Sequence, residues 1–186
     1  MRIKDIVSLN TASVNPMNDA DTYWNLYSLP SFDEGKQREC VLGSDIQSNK
    51  YVVPNKCILF NKLNVRFKRI WRINNLDEHK ICSTEFLPLV VDEEKADFDF
   101  VFYLLNSERI TSFLTRQNSN TSGSHKRIDP NIFMDIEVNL PSLEEQRNIG
   151  STLASLDAKI ELNLAINQNL PKLDHSLKVA KVRLAA

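Results

Sequence analysis

The stretch Val138–Leu170, "VNLPSLEEQRNIGSTLASLDAKIELNLAINQNL", divides the chain. Up to Pro141 the pattern is short and interrupted; after it, one long helical pattern runs with no glycine beyond Gly150. Ser142 with Glu145 three residues on has the form of a capping box, in which each side chain takes up a backbone amide at the start of a helix. Glu144 and Glu145 fall in the first turn, where the exposed amides favour negative charge. Ile149, Leu153, Leu156 and Ile160 then follow the 4-3-4 spacing of a coiled-coil seam. A second run, Ile166, Leu170, Leu173, Leu177, Ala180 and Leu184, alternates four and three again. Between the runs the register slips at Asn163 and Asn167, polar residues that set pairing register at some cost in stability. Pro171 lacks a backbone donor and clashes with the preceding turn, so a kink or break is expected there.

A helix of roughly 40 residues extends about 60 Å, farther than its parent domain can cover. Its stripe must either fold back as a hairpin at Pro171 or pair with another long helix, in a second copy or a partner chain. The persistence of the seams over so many turns favours a partner helix.

Working back from Pro141, "YVVP", "KCILF", "RIWRI" and "FLPLVV" read as short strands rich in β-branched and aromatic residues. The apolar density of "FDFVFYLLNSERITSFLTRQ" predicts a largely buried helix from about Asp97 to Gln117. "FMDIEVNLP" reads as a helical turn followed by a last strand. The fold class is therefore α+β: a mixed domain over residues 1–141, followed by a coiled-coil-forming helical region over 142–186.

Composition narrows the function. The 186 residues are 42% hydrophobic and 25% charged with net charge −1, ordinary for a globular chain. Three cysteines, Cys40, Cys57 and Cys82, have no CxxC spacing and fit a reducing cytoplasm better than a disulfide scaffold. His79, His125 and His175 are scattered and make no ligand pair with a cysteine, so no metal site is expected. No apolar run reaches the eighteen residues of a membrane span, and the opening "MRIKDIVSLN" lacks the apolar core of a signal peptide. No GxSxG, HExxH, P-loop or GxGxxG occurs; His125 beside Ser122 and Ser124 has no identifiable orienting acid. Neither catalysis nor a cofactor is expected.

Charge, however, is clustered. "NKLNVRFKRIWR", Asn61–Arg72, holds Lys62, Arg66, Lys68, Arg69 and Arg72 with no acid, and Asn64 among them. Residues 109–128 add Arg109, Arg116, Lys126 and Arg127, again with no acid, and "TSGSHKR" sets Ser122, Ser124 and His125 beside a glycine hinge. Arg and Lys suit phosphates and guanine edges, and Asn suits adenine. Either segment alone is also what a solvated face looks like. If residues 68–73 form a strand, Phe67 and Trp71 face the core. Together, in a domain without a catalytic motif, the two segments point to nucleic acid.

The combination resembles the specificity subunits of type I restriction-modification systems. That family has a Leu-Pro-Pro-Leu-like turn, then Glu-Gln-(Arg/Lys)-x-Ile, and a long helix carrying Leu-Asp-x-Lys-Ile and Asn-x-x-Ile-Asn-x-x-Leu. The corresponding residues here are Leu140-Pro141-Ser142-Leu143, Glu145 to Ile149, Leu156 to Ile160, and Asn163 to Leu170. "NTSGSHKRIDPNIF" and "LFNKLNVRFKRIW" are also similar to segments of family members. Ser142 in place of the second proline and Pro171 within the helix depart from the pattern, and the first fifty residues match poorly. Family members carry two recognition domains and two long helices, so the chain resembles a half-size form.

The resemblance implies one target-recognition domain that reads half of a bipartite double-stranded DNA target, with Lys62, Asn64, Arg66, Lys68, Arg69, Ser122, Ser124, His125, Lys126 and Arg127 facing DNA. It implies a helix that docks modification subunits and, through them, the restriction subunit, which carry the chemistry. The seam of Leu153, Leu156, Ile160, Ile166, Leu170, Leu173 and Leu177 is the expected interface of a homodimer or partner. The alternative is a coiled-coil interaction module that assembles a complex without touching DNA.

Overall fold

The run "KCILF" carries no polar alternate because both of its faces are covered. It forms strand β6 (Lys56–Asn61), whose successive side chains point to opposite sides of the sheet. Ile58 and Phe60 enter one core, Cys57 and Leu59 another. The structure, a computed structural model, describes the backbone of residues 1–117 and 126–184 and the side chains of 1–117 and 126–167.

Beside β6 lie β7 (Ile70–Asn74) and β9 (Phe86–Val91), with β1 (Val7–Leu9) on the far side of β9. They make an antiparallel sheet of order β1-β9-β6-β7. Strands β2 (Ser13–Val14), β3 (Tyr23–Tyr27), β4 (Glu39–Leu42), β5 (Lys50–Val52) and β8 (Lys80–Cys82) make a second sheet. Its order is β2-β5-β8-β3-β4, parallel only between β3 and β8. The four strands expected from sequence are thus β5, β6, β7 and β9.

A core of Tyr27, Val53, Cys57, Leu59, Trp71, Ile73, Cys82 and Phe86 joins residues of the two sheets. Trp71 meets Tyr27 and Phe32 edge-on, with ring centroids 5.1 and 5.2 Å apart; Phe32 belongs to the short helix α1 (Leu29–Asp33). Burial pushes the Cys57 thiol up to about 12 and raises that of Cys82 as well, so both are inert packing residues.

The first core lies between the β1-β9-β6-β7 sheet and helices. The single helix expected over 97–117 is two, α2 (Phe98–Asn106) and α3 (Glu108–Gln117). Ser107 between them is extended (φ −66°, ψ 150°), and its carbonyl accepts the Thr111 amide at 3.2 Å as α3 begins. A straight helix of about twenty residues runs some 30 Å. The break lets Phe98, Val101 and Leu105 of α2 and Ile110 and Leu114 of α3 all turn into one core. The expected helical turn is α4 (Pro130–Met134). The expected last strand is not formed: Arg2 and Glu137 make one isolated bridge, because the chain start runs beside residues 136–138 for only two hydrogen bonds, Ile3 N–H to Ile136 O and Val138 N–H to Met1 O.

After Pro141 comes α5 (Leu143–Leu184), 42 residues long. The capping box is made: the Ser142 amide and hydroxyl donate to Glu145 Oε2 at 2.9 and 2.7 Å, and the Glu145 amide donates to Ser142 Oγ at 3.3 Å. The break expected at Pro171 does not occur, nor does a fold-back there, since the helix is one element through that residue. A proline in a helix costs about 3 kcal/mol, but it removes one hydrogen bond and leaves the turns on either side intact.

Helix α5 is seated on α2. Gln146 is 2% exposed; its Oε1 accepts the Asp97 amide at 3.0 Å and its Nε2 donates to Pro141 O at 3.0 Å. One turn on, a Cβ at Gly150 would lie 2.6 Å from Asp97 Oδ1 and 2.8 Å from the Phe100 amide nitrogen. Asp97 Oδ1 itself caps α2 by accepting the Phe100 N–H at 2.9 Å. Two turns further, Tyr103 Oη donates to Asp157 Oδ2 at 2.7 Å; burial, with this bond, pushes the phenol up to about 12.

In an isolated helix, alanine is favoured over glycine by about 1 kcal/mol. At position 150 the order should invert. Gly150→Ala is expected to destabilise the protein by roughly 1–3 kcal/mol, the usual cost of overpacking. A thermal melt at or above the parent's would show that α5 does not approach α2 this closely.

Candidate nucleic-acid interface

Asn61 ends β6 and throws the chain outward. Its buried amide accepts the Leu63 N–H at 2.8 Å and donates back to the Leu63 carbonyl. Asn64 follows in the left-handed region (φ 51°), which asparagine tolerates better than most side chains. The Phe67 amide then donates to Asn64 O at 2.9 Å and the Arg69 amide to Phe67 O at 2.8 Å, closing a tight turn before β7.

The second basic segment comes to this turn. Asn64 N–H donates to Lys126 O at 2.8 Å, Ile128 N–H to Lys62 O at 2.9 Å, and Leu63 bridges Arg127 in antiparallel register. Residues more than sixty positions apart are thereby zipped along one edge. Of the ten expected contact residues, Lys62, Asn64, Arg66, Lys68, Arg69, Lys126 and Arg127 belong to this joined pair of segments. Ser122, Ser124 and His125 lie outside the described residues.

The segments are free of acid only along the sequence. Arg69 holds Asp33 with two hydrogen bonds of 2.7 Å. Lys68 pairs with Glu108 at 3.0 Å, and Arg127 grips Glu85 in a fork whose closest contacts are 2.6 and 2.9 Å. Arg72 pairs with Asp99 at 2.9 Å and lies 5.4 Å from the Phe102 ring centroid. These carboxylates come from α1, α3, α2 and the turn before β9, so one-dimensional spacing carries no sign of them. Among the described residues, Lys62, Arg66 and Lys126 have no carboxylate partner. Of these, Arg66 is exposed and Lys62 and Lys126 are half-buried.

Phe67 also departs from expectation. Strand β7 starts at Ile70, not Lys68, so the alternation that would put Phe67 and Trp71 on one inward face does not reach back to Phe67. Trp71 is 6% exposed and Phe67 48%. Beside this turn, Arg66, Lys68, Glu108, Thr111, Ser112, Thr115 and Arg116 line an open groove of about 360 Å³. Its α3 hydroxyls were not singled out by sequence; the i, i+4 pair Ile110 and Leu114 turned inward, with Thr111, Ser112 and Thr115 next to them on the helix, is the signal that would have found them. Among the described residues, no group of three His, Cys, Asp or Glu could hold a metal ion, and no helix is long and apolar enough to cross a membrane.

The Arg69 hydrogen bonds hold the Asp33 carboxyl below its ordinary value, and the Lys68 and Ser112 hydrogen bonds do the same for Glu108. A carboxyl depressed on folding contributes stability above its unfolded value and loses it as pH falls through the folded one. An NMR titration should therefore find both groups below ordinary carboxylates, and Arg69→Ala should return Asp33 alone to the usual range. An unmoved Asp33 midpoint would mean that the fork does not form in solution.

With this geometry in hand, the chain can be set beside known proteins. The family model described as "Type I restriction modification DNA specificity domain" matches residues 1–172. The chain is 28% identical over 120 residues to the type I restriction enzyme HindI specificity subunit of Haemophilus influenzae, covering 64% of this chain and 26% of that one. It is 29% identical over 151 residues to the MjaVIII specificity subunit of Methanocaldococcus jannaschii, covering 81% and 33%. The matched region thus spans about a third or less of these relatives. In fold, it superposes on the HsdS subunit from Thermoanaerobacter tengcongensis with a TM-score of 0.72 at 24% identity, over 87% of this chain and 42% of that one. On the S subunit from M. genitalium the TM-score is 0.57 at 15% identity, over 87% and 39%.

Proposed function

Because the chain belongs to the family of type I restriction-modification DNA specificity domains, we propose that it is a non-catalytic DNA-recognition subunit whose residues 1–141 read one half of a bipartite double-stranded target. The observation that carries this reading is the zipped edge. Two basic segments that the sequence separates are joined by the Asn64–Lys126 bond and the Leu63–Arg127 bridge. They leave Lys62, Arg66 and Lys126 without carboxylate partners among the described residues. Arg69, Lys68 and Arg127 are held in fixed places by their acids, so they frame the surface, and a phosphate must compete with Asp33, Glu108 or Glu85 to reach them. Ser122, Ser124 and His125 lie outside the described residues, and their assignment to the DNA side rests on the family resemblance alone.

Helix α5 is the docking element for modification subunits, and through them the restriction subunit, in the same proposal. It also pairs two copies. Leu156, Ile160 and Ile166 are 50, 56 and 48% exposed on the isolated chain, while Leu153 is half-buried. Leu170, Leu173 and Leu177 continue the seam, with side chains outside the described residues. Leu162 and Leu164 are also exposed, at 60 and 55%, on nearly opposite sides of the helix, which leaves room for more than one partner helix. Two copies paired antiparallel present two recognition domains with twofold symmetry, which makes the target a palindrome.

The DNA reading is tested with the chain reconstituted with its modification subunit. Log affinity should fall steeply and linearly with log salt, by close to one unit of slope per neutralised phosphate. Lys62→Ala, Arg66→Ala and Lys126→Ala should each flatten that slope or cost about 1–3 kcal/mol if they read a base. Arg127→Ala should act less on DNA than on the Glu85 contact. Salt-independent association, unchanged in all three variants, would leave an assembly module that does not touch DNA.

The pairing is tested by sedimentation over a wide concentration range. Burying a leucine is worth roughly 1.5–3 kcal/mol, so Leu156→Asp with Ile160→Asp should convert a dimer to monomer. A strict monomer at high micromolar concentration, indifferent to these changes, leaves the seam to the modification subunits alone.

A further inference from the structure

We propose that Phe67 is itself a base-reading side chain, whose ring edge packs against the 5-methyl group of a thymine in the major groove while Arg66 reaches the neighbouring phosphate. This rests on the DNA-binding reading and adds to it a residue and a base. Phe67 is 48% exposed although Val65 and Ile70 on either side are 6 and 5% exposed. The fold thus has an apolar interior within two or three residues and does not use it for this ring. The exposure is enforced: the hydrogen bonds from the Phe67 amide to Asn64 O and from the Arg69 amide to Phe67 O close the turn with the side chain outward.

The ring is also held in place. The guanidinium carbons of Arg66 and Arg69 lie 4.8 and 5.1 Å from its centroid, and Arg69 is fixed in turn by the Asp33 fork. Cations sit against the negative face of an aromatic quadrupole. A ring with two guanidiniums drawn to it keeps its edge open to an incoming molecule. That argues against insertion between stacked bases and for an edge contact. On the outer surface of a duplex, the apolar group that an edge can meet is the thymine methyl, a contact that phenylalanine side chains make. Arg66, with no carboxylate partner among the described residues, is left to neutralise the phosphate beside that base.

The test uses the complex with the modification subunit and a target obtained by selecting bound sequences from a random duplex pool. Each thymine of that target is replaced singly by deoxyuracil, which lacks only the methyl group. One replacement should weaken binding by the parent about fourfold, the worth of one buried methyl. Phe67→Ala should lose a similar factor on the intact target and be indifferent to that same replacement. Phe67→Leu, which keeps apolar reach, should retain part of the difference. A Phe67→Ala protein that melts like the parent yet keeps every uracil penalty, or a parent that shows none, overturns the inference and leaves the DNA reading standing. A complex that selects no sequence overturns the DNA reading and this inference with it.

Discussion

The seat of α5 on α2 is the contact on which the rest of the architecture depends. It is made by a carboxamide, a missing side chain and one carboxylate. Gln146 is buried with both ends of its amide bonded, which turns a costly desolvation into a directional contact. Gly150 lets the helix come against the capped start of α2, where any Cβ would meet Asp97 or the backbone of Phe100. Asp97 serves α2 as its cap and α5 as its neighbour at once. Because these groups fall along one face of α5, they fix the helix's rotation as well as its position. The apolar residues exposed beyond Asp157, which include Ile160, Leu164 and Ile166, point in several directions around the helix, on a stretch that continues past its seat on α2.

Along the basic segments the controlling physics is electrostatic. A surface of unpaired cations would repel itself and bind any polyanion. Here the tertiary structure sets Asp33, Glu85, Asp99 and Glu108 against Arg69, Arg127, Arg72 and Lys68. Exposed ion pairs of this kind add little to stability, but they fix the orientation of long side chains. They also lower the positive field that the surface presents to polyanions in general. The few cations left over, with the Arg66 and Arg69 guanidiniums 4.8 and 5.1 Å from the Phe67 ring centroid, give an edge of mixed apolar and cationic character.

Much of this was legible in the residues. The capping box at Ser142, the strands "KCILF" and "FLPLVV" and the family itself all follow from local patterns. Propensity and spacing decide those matters within a few residues, and no distant group is needed to read them. The start of α5 just after Pro141 came from the same source: a strand-like alphabet gives way to a helical period, and a proline with a cap marks the change.

What tertiary structure alone decided are the matters that turn on neighbours remote in sequence. A helix from 97 to 117 is sound by apolar density, yet it breaks at Ser107, because its two halves share one core and a straight rod cannot bend into it. Phe67 lies outside because the Asn64 turn delays β7 by two residues. The last strand expected near Val138 shrinks to one bridge, because only the first three residues of the chain run beside it. The acids that temper the basic segments come from four separate elements, and Gly150 is required only because Asp97 is there. Sequence fixes what each segment prefers in isolation; which charges remain unpaired and which apolar side chains remain outside depend on packing, since both are properties of pairs of surfaces.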